Sequence, residues 1–477
     1  MNRLNKIQSN LILFAICVLS RAITSIYYIE DIDSLRFAFS LYDYDITKLQ
    51  PHFPGYPVFC FIAKLIYVVT GSMGITFSII GGVSVYFLIY FMLKLENNDI
   101  ASSVGLFMIF IIFFNPLVWL MSNRYMPDLM GLAIITAVLY HLIFRFKKIS
   151  SLYFGYFLSG LLAGVRLSYL PIILFPFISE LIKNKNRLNL FLFFLLGILI
   201  WLIPLIWITG FDNLWLSALN HTQGHFMDYG GSIFTEKNLA IRFFHLVESI
   251  WADGMGGYWL GRSWVTVIFS FFILILLIFG FITIINNWKF EKSFKIIMSC
   301  ILIYLLWVFL SQNIIYKSRH ILPALIVLFI MLSVGYKYIV TKHSPVLYTV
   351  VLLFIFLLIQ ITRTLVWDHK NPSAIAQLKN DLIKNDISTI VSTPLINYYM
   401  KSNSVSANFI NIDNIVEFDG DIKTQRNESI LMIGNFESLF IKDFIVKKNM
   451  SYYHNPYVNR MWSQIDTYYL IHKTRKK

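Results

Sequence analysis

Residues 50–70 read QPHFPGYPVFCFIAKLIYVVT. Pro51, Pro54 and Pro57 fall in the first eight positions, with His52 and Gly55 between them. An apolar run interrupted only by Lys64 follows. If 54–70 crosses a membrane, every later segment is inverted; if it lies along the surface, none is. The orientation of the whole chain therefore turns on this stretch.

A membrane is implied by composition. The chain has 477 residues, 57% of them hydrophobic and 14% charged, with a mean hydropathy of +0.65. A soluble domain of this length cannot hide that much apolar surface. Long apolar runs recur at about 10–29, 74–93, 101–121, 127–144, 151–164, 167–182, 188–209, 263–285, 296–311, 320–336 and 345–366. The sequence thus reads as a polytopic α-helical membrane protein with about 11 transmembrane helices. The short pair around 151–182 suggests a tight hairpin or a tilted pair. Arg3 and Lys6 precede the first run, and Ser20-Arg21-Ala22 only loosely imitates a cleavage site, so a retained signal anchor is expected. Cys17, Cys60 and Cys300 have no metal spacing and read as buried small hydrophobes.

The net charge of +14 would suggest nucleic acid in a soluble protein. Here much of the excess falls in short loops, which is a topology signal, and no nucleic-acid partner is expected. An anionic lipid substrate is a second beneficiary. With 54–70 on the surface, the N-terminal side carries fourteen basic residues in short loops, from Arg3 and Lys6 to Lys337 and Lys342. The short loops opposite carry four, Arg124, Arg166, Lys317 and Arg319. The N-terminus then lies in the cytoplasm. If 54–70 crossed, the bias would break, so it reads as a surface-lying helix entered through its prolines.

Four features then share the outer face: the loops 30–73, 122–127 and 210–262, and the tail from 367. The expected domains are 1–366, in the membrane, and 367–477, an extracytoplasmic α/β domain. Its β-rich stretches are STIVST, SILMIGN and TYYLIHK, with helical stretches near 373–385 and 436–441. No internal repeat is evident, which weakens a transporter reading.

Candidate chemistry collects on these outer segments. Glu30, Asp31 and Asp33 follow the first span directly. Solvation at the interface is the simpler account of them; general-base catalysis on an acceptor hydroxyl is the functional one. Their oxygens also suit a divalent cation, though no metal site is assigned. Asp128 begins a span, where a carboxylate favours a helix N-terminus, and Arg124 can pair with a first-loop acid. His221 and His225 have i,i+4 spacing, but Gly224 lies between them and the HExxH glutamate is missing. A polar lid over sugar or phosphate suits them better than zinc. Lys317, Arg319 and His320 precede a late span on the side where cations are scarce, so they ask for a local anion. Lipid-linked phosphate fits, with snorkelling to headgroups as the alternative. Arg21 and Arg166 are near the same face, where basic residues are costly unless paired or functional.

Together EDIDS after the first span, PHFPGYP, RYMPDL and SRHILPAL resemble the GT-C superfamily of integral membrane glycosyltransferases, especially its protein O-mannosyltransferase and aminoarabinose-transferase branch. The resemblance covers about residues 10 to 337. It implies a polyprenyl-phosphate sugar as donor and transfer to an acceptor on the extracytoplasmic face; single attack by an acceptor hydroxyl on the anomeric carbon then predicts inversion. It implies Asp33 as general base with Asp31 its rival, Asp128 as the second-loop acid and Arg319 on the donor phosphate. His320, Lys317, Arg21 and Arg166 join that phosphate group. His52, Pro54, Gly55, Tyr56, Arg124, His221 and His225 shape the cleft. Phe53 stands where the family motif has its first proline. Protein, lipid and glycan acceptors all fit. The competing readings are a flippase for a lipid-linked glycan, which needs polar span centres, and a non-catalytic membrane scaffold.

Overall fold

The computed structural model describes residues 3–145, 148–228, 230–286, 292–385, 387–412, 430–436 and 444–473. The chain divides into two compact units. One is Met1–Tyr27 with Arg36–Lys370; the other is Tyr28–Leu35 with Asn371–Lys477. The acids of the first loop therefore group with the tail, whereas the sequence reading, which divided the chain by composition, has them in the 1–366 membrane domain.

In the first unit, eight helical stretches among the described residues are long and apolar enough to cross a membrane. They become nine if the bent pair Ser103–Phe113 and Pro116–Asn123 is one span. Pro57–Thr70 and Asp128–Phe144 are shorter apolar helices. One stretch, Ile149–Lys183, folds back on itself. The Tyr156 hydroxyl donates to the Phe177 carbonyl at 2.6 Å, and the two rings are 4.3 Å apart. Along a straight helix those residues would be roughly 30 Å apart. The chain turns at Leu167–Tyr169, between helices Ile149–Arg166 and Leu170–Lys183.

The bent pair shows how a broken helix survives in an apolar setting. The segments meet at 54°. Asn115 caps the second one, accepting from Val118 N at 3.0 Å, and Pro116 takes its first turn, where no N–H partner is needed. The break frees carbonyls that have no water to turn to. Arg21 Nη2 donates to Phe113 O at 2.7 Å, and the Thr362 hydroxyl donates to Phe114 O. Arg242 does similar work further on. Buried, it donates to Phe309 O, Gly231 O and Gln312 O. It thereby fastens the segment around Gly231 to the C-terminal end of helix Lys292–Ser311.

The second unit holds a five-stranded sheet: β1 Thr389–Ser392, β2 Asn408–Asn411, β3 Ile430–Ile433, β4 Phe444–Tyr453 and β5 Gln464–His472. The order is β2-β1-β3-β5-β4, parallel for β2-β1-β3 and antiparallel for β3-β5-β4. Helix Pro394–Ser402 links the parallel pair β1 and β2, and helix Ala374–Lys384 precedes β1. Val391, Ile410, Ile430, Met432, Phe444 and Leu470 form the core. β1 and β3 are buried along their whole length; β3 reads as an unbroken apolar run, while β1 sets Ile390 and Val391 between Thr389 and Ser392. β2 and β4 escaped the sequence reading. The first has four residues; the second is an edge strand whose Val446–Asn449 segment is exposed. The helix expected near 436–441 lies outside the described residues apart from Phe436.

Candidate active site

Residues 45–57 build one wall. Asp45 accepts from Thr47 N at 2.9 Å and caps a short turn, Ile46–Lys48. Asp45 and Gln50 then bridge antiparallel, and the bonds before Pro51 and Pro54 are cis. Gly55 has φ +83°, and a Cβ there would lie 2.5 Å from Ile46 Cδ1 and 2.6 Å from Tyr44 Oη. Both the backbone and the space demand glycine. Its carbonyl accepts from the Tyr44 hydroxyl at 2.8 Å. Pro57 opens helix Pro57–Thr70. The result directs Tyr56 inward, with its ring edge-on to Phe37 and its hydroxyl 3.0 Å from His52 Nε2.

The other wall is a charge cluster. Asp128 stands in the first turn of helix Asp128–Leu139, Arg166 ends helix Ile149–Arg166, and Arg319 sits in the turn Ser318–Ile321. All three are buried. Arg166 Nη2 is 2.9 Å and Arg319 Nε 3.6 Å from the same oxygen, Asp128 Oδ1. Gly131 makes room for this: a Cβ there would be 2.9 Å from Arg166 Cβ. Arg166 Nη1 lies 3.4 Å from Tyr56 Oη and so joins the two walls. His52 stacks on His221 at 5.3 Å, and His221 on His225 at 6.2 Å. His225 Nε2 meets Ser311 O at 2.8 Å. The Tyr304 hydroxyl donates to His320 O at 2.9 Å.

Two guanidiniums thus share one carboxylate, and Lys317 is half-buried beside Arg319 in sequence. Burying charges costs several kcal/mol each unless partners compensate. Guanidinium forks match phosphate oxygens, so Arg166 and Arg319 have the chemistry to meet an anion. His320 and His225 add no charge at neutral pH. Burial, then Arg166, Arg319, Lys317 and His225, hold His320 well below the usual histidine range. Burial, with Lys317 and Arg166, also lowers His225, against its bond to Ser311 O.

The first-loop acids, in the other unit, are buried too. Asp31 Oδ1 accepts from Ser34 N at 2.8 Å and caps helix Ile32–Phe39. Its Oδ2 accepts from Asn459 Nδ2 at 3.0 Å. The Tyr399 hydroxyl donates to Ile29 O at 2.6 Å. Burial and the nearby Asp31 and Glu30 push the Tyr399 phenol up, so it remains a donor. Asp33 lies in the first turn of the same short helix. N–H donors are aimed at both Asp31 oxygens, which is unlike a cation site. Among the described residues no group of three or more His, Cys, Asp or Glu side chains is arranged to hold a metal ion.

The fold therefore brings Asp128, Arg166, Arg319, Tyr56, His52, His221 and His225 into one connected network. Arg21 is engaged elsewhere. Its guanidinium lies over the Phe113 and Trp119 rings at 4.2 and 3.9 Å and serves the broken helix. Arg124 is buried and ends helix Pro116–Asn123, its carbonyl accepting from Met126 N at 2.9 Å. Tyr169, Tyr304 and Gly131 were missed by the sequence reading. Tyrosines near span ends look like interfacial anchors, and a glycine within a span looks like packing.

The backbone is similar to that of ArnT from Cupriavidus metallidurans bound to undecaprenyl phosphate, with a TM-score of 0.51 and 10% sequence identity. The alignment covers 96% of this chain and 97% of that one. The same protein in the apo state aligns over equal shares at a TM-score of 0.47 and 9% identity. No protein-family model matches the sequence, and no curated protein matches it. The likeness is one of fold: this is a multi-pass helical protein with the architecture of ArnT.

Proposed function

We propose that this chain is a GT-C-type glycosyltransferase that moves a sugar from a polyprenyl-phosphate donor to a hydroxyl acceptor at the extracytoplasmic face. The observation that carries this reading is the convergence of Arg166 and Arg319 on one oxygen of buried Asp128. An anionic leaving group needs fixed positive charge of this kind. The ArnT-like fold supports the donor class, because ArnT was crystallised with undecaprenyl phosphate.

In this mechanism the acceptor oxygen attacks the anomeric carbon as the bond from that carbon to the phosphate oxygen breaks. The bonding pair leaves with the polyprenyl phosphate, and the acceptor proton passes to the Asp33 carboxylate. Arg166 and Arg319 stabilise the growing phosphate charge, aided by Lys317 and by neutral His320 as a hydrogen-bond donor. Preorganised electrostatics of this kind usually make the largest share of catalysis. Asp128 holds both guanidiniums in register. His52, Tyr56 and the His221–His225 row line the approach. A single attack from the opposite face inverts the anomeric centre.

Loop charge orients the reading: the N-terminus in the cytoplasm, Pro57–Thr70 along the outer surface, and the sheet-bearing 367–477 domain outside. The test is a transfer assay in nanodiscs with radiolabelled polyprenyl-phosphate sugars, wild type against Asp33→Asn. Label should reach an acceptor with wild type only. No donor consumption by wild type across a broad panel of sugars and acceptors would sink the enzyme reading.

A further inference from the structure

Tyr169 has no role in the scheme above, yet it is one of the largest fully buried side chains in the molecule. It closes the turn Leu167–Tyr169, three residues after Arg166. Its hydroxyl has no hydrogen-bond partner among the described residues. A buried hydroxyl without a partner is destabilising and calls for an explanation.

The surroundings supply one. The Arg166 guanidinium lies 5.9 Å from the Tyr169 ring centre, and Tyr304 packs edge-on at 5.7 Å. Asp128, Arg166, Arg319 and Tyr304 all act electrostatically on the Tyr169 phenol. The ring is locked against helix Asp128–Leu139, where a Cβ at Gly131 would come within 3.1 Å of its Cε2. Tyr304 directs its own hydroxyl to His320 O and is satisfied, while Tyr169 is not. One rigid, unanswered donor therefore stands beside the two guanidiniums that meet at Asp128.

We infer that the Tyr169 hydroxyl is a ligand-binding donor, giving a hydrogen bond to a non-bridging oxygen of the phosphate held by Arg166 and Arg319. This rests on the proposed lipid-phosphate reading and adds a neutral recognition element to it.

The experiment compares wild type, Tyr169→Phe and Arg319→Ala in detergent, by thermal unfolding with and without undecaprenyl phosphate and by its binding affinity. Removing only the hydroxyl should leave the ligand-free midpoint unchanged or higher, since an unsatisfied polar group is lost. It should weaken undecaprenyl phosphate about tenfold, which corresponds to about 1.4 kcal/mol. A lower ligand-free midpoint with unchanged affinity would mean a structural hydrogen bond and overturn the inference. If Arg319→Ala abolishes binding but Tyr169→Phe does not change it, the phosphate site stands and the Tyr169 role falls. If wild type binds no undecaprenyl phosphate, the lipid-phosphate reading fails, and the inference with it.

Discussion

Two buried aspartates in this molecule face opposite surroundings. Asp128 is met by two guanidiniums, whereas Asp31 is met by a backbone N–H and an asparagine amide. The first arrangement puts full charges in an apolar setting, which helps folding little. The second uses dipoles to finish a short helix and fix a loop, as an N-cap does anywhere. The same side chain is thus part of an electrostatic device in one unit and a structural fastener in the other. Its neighbours make the difference.

That contrast is open to direct attack. The largest effect is expected from Asp33→Asn: sugar transfer should fall by about 10²–10⁴, the usual contribution of a general base, with expression and unfolding unchanged. A rate within a few-fold of wild type would remove Asp33 from the mechanism. Arg166→Ala comes next. Leaving Asp128 with only the longer contact to Arg319 should cost about 3–5 kcal/mol in stability, measured by thermal unfolding in detergent. Restoring stability with Asp128→Asn in the same background would establish the pairing. Asp31→Ala should cost less, about 1–2 kcal/mol, as the loss of a helix cap, and should leave the turnover of folded enzyme near wild type. If Asp31→Ala instead abolished turnover without lowering stability, the two aspartates would have to exchange roles.

The smallest effect concerns the histidines. His320 and His225 have folded-state values below 6.5, so the unfolded chain binds protons that the folded one refuses. Stability should therefore hold above pH 6.5 and decline as the pH falls below it. A midpoint lower by about 2–4 °C at pH 5.5 than at pH 7.5 corresponds to about 1 kcal/mol. His320→Gln should flatten that slope, and an unchanged slope would mean that other groups carry it.

Much of the candidate site was legible because charges at the ends of apolar spans are costly and stand out. Asp128, Arg166 and Arg319 were all visible in that way. Their convergence on one oxygen was not, because it joins residues nearly 200 positions apart in sequence. Arg21 shows the opposite outcome. Its position suggested phosphate, but its guanidinium answers the Phe113 carbonyl, 92 residues away, exposed by a helix break. Tyr169 left no signal at all, since an unsatisfied hydroxyl is defined by what does not surround it.

From sequence alone came the membrane class, the spans that end in charge, the glycine–proline turn at 50–57 and the buried strands of the tail. Those follow from local chemistry: apolar period, ring-locked φ angles, and unbroken hydrophobic runs. Only the tertiary structure decided which charges meet, that the first-loop acids group with the tail, and that Asp31 is a cap. Those depend on long-range packing, where a side chain's role is set by groups remote in the chain and close in space.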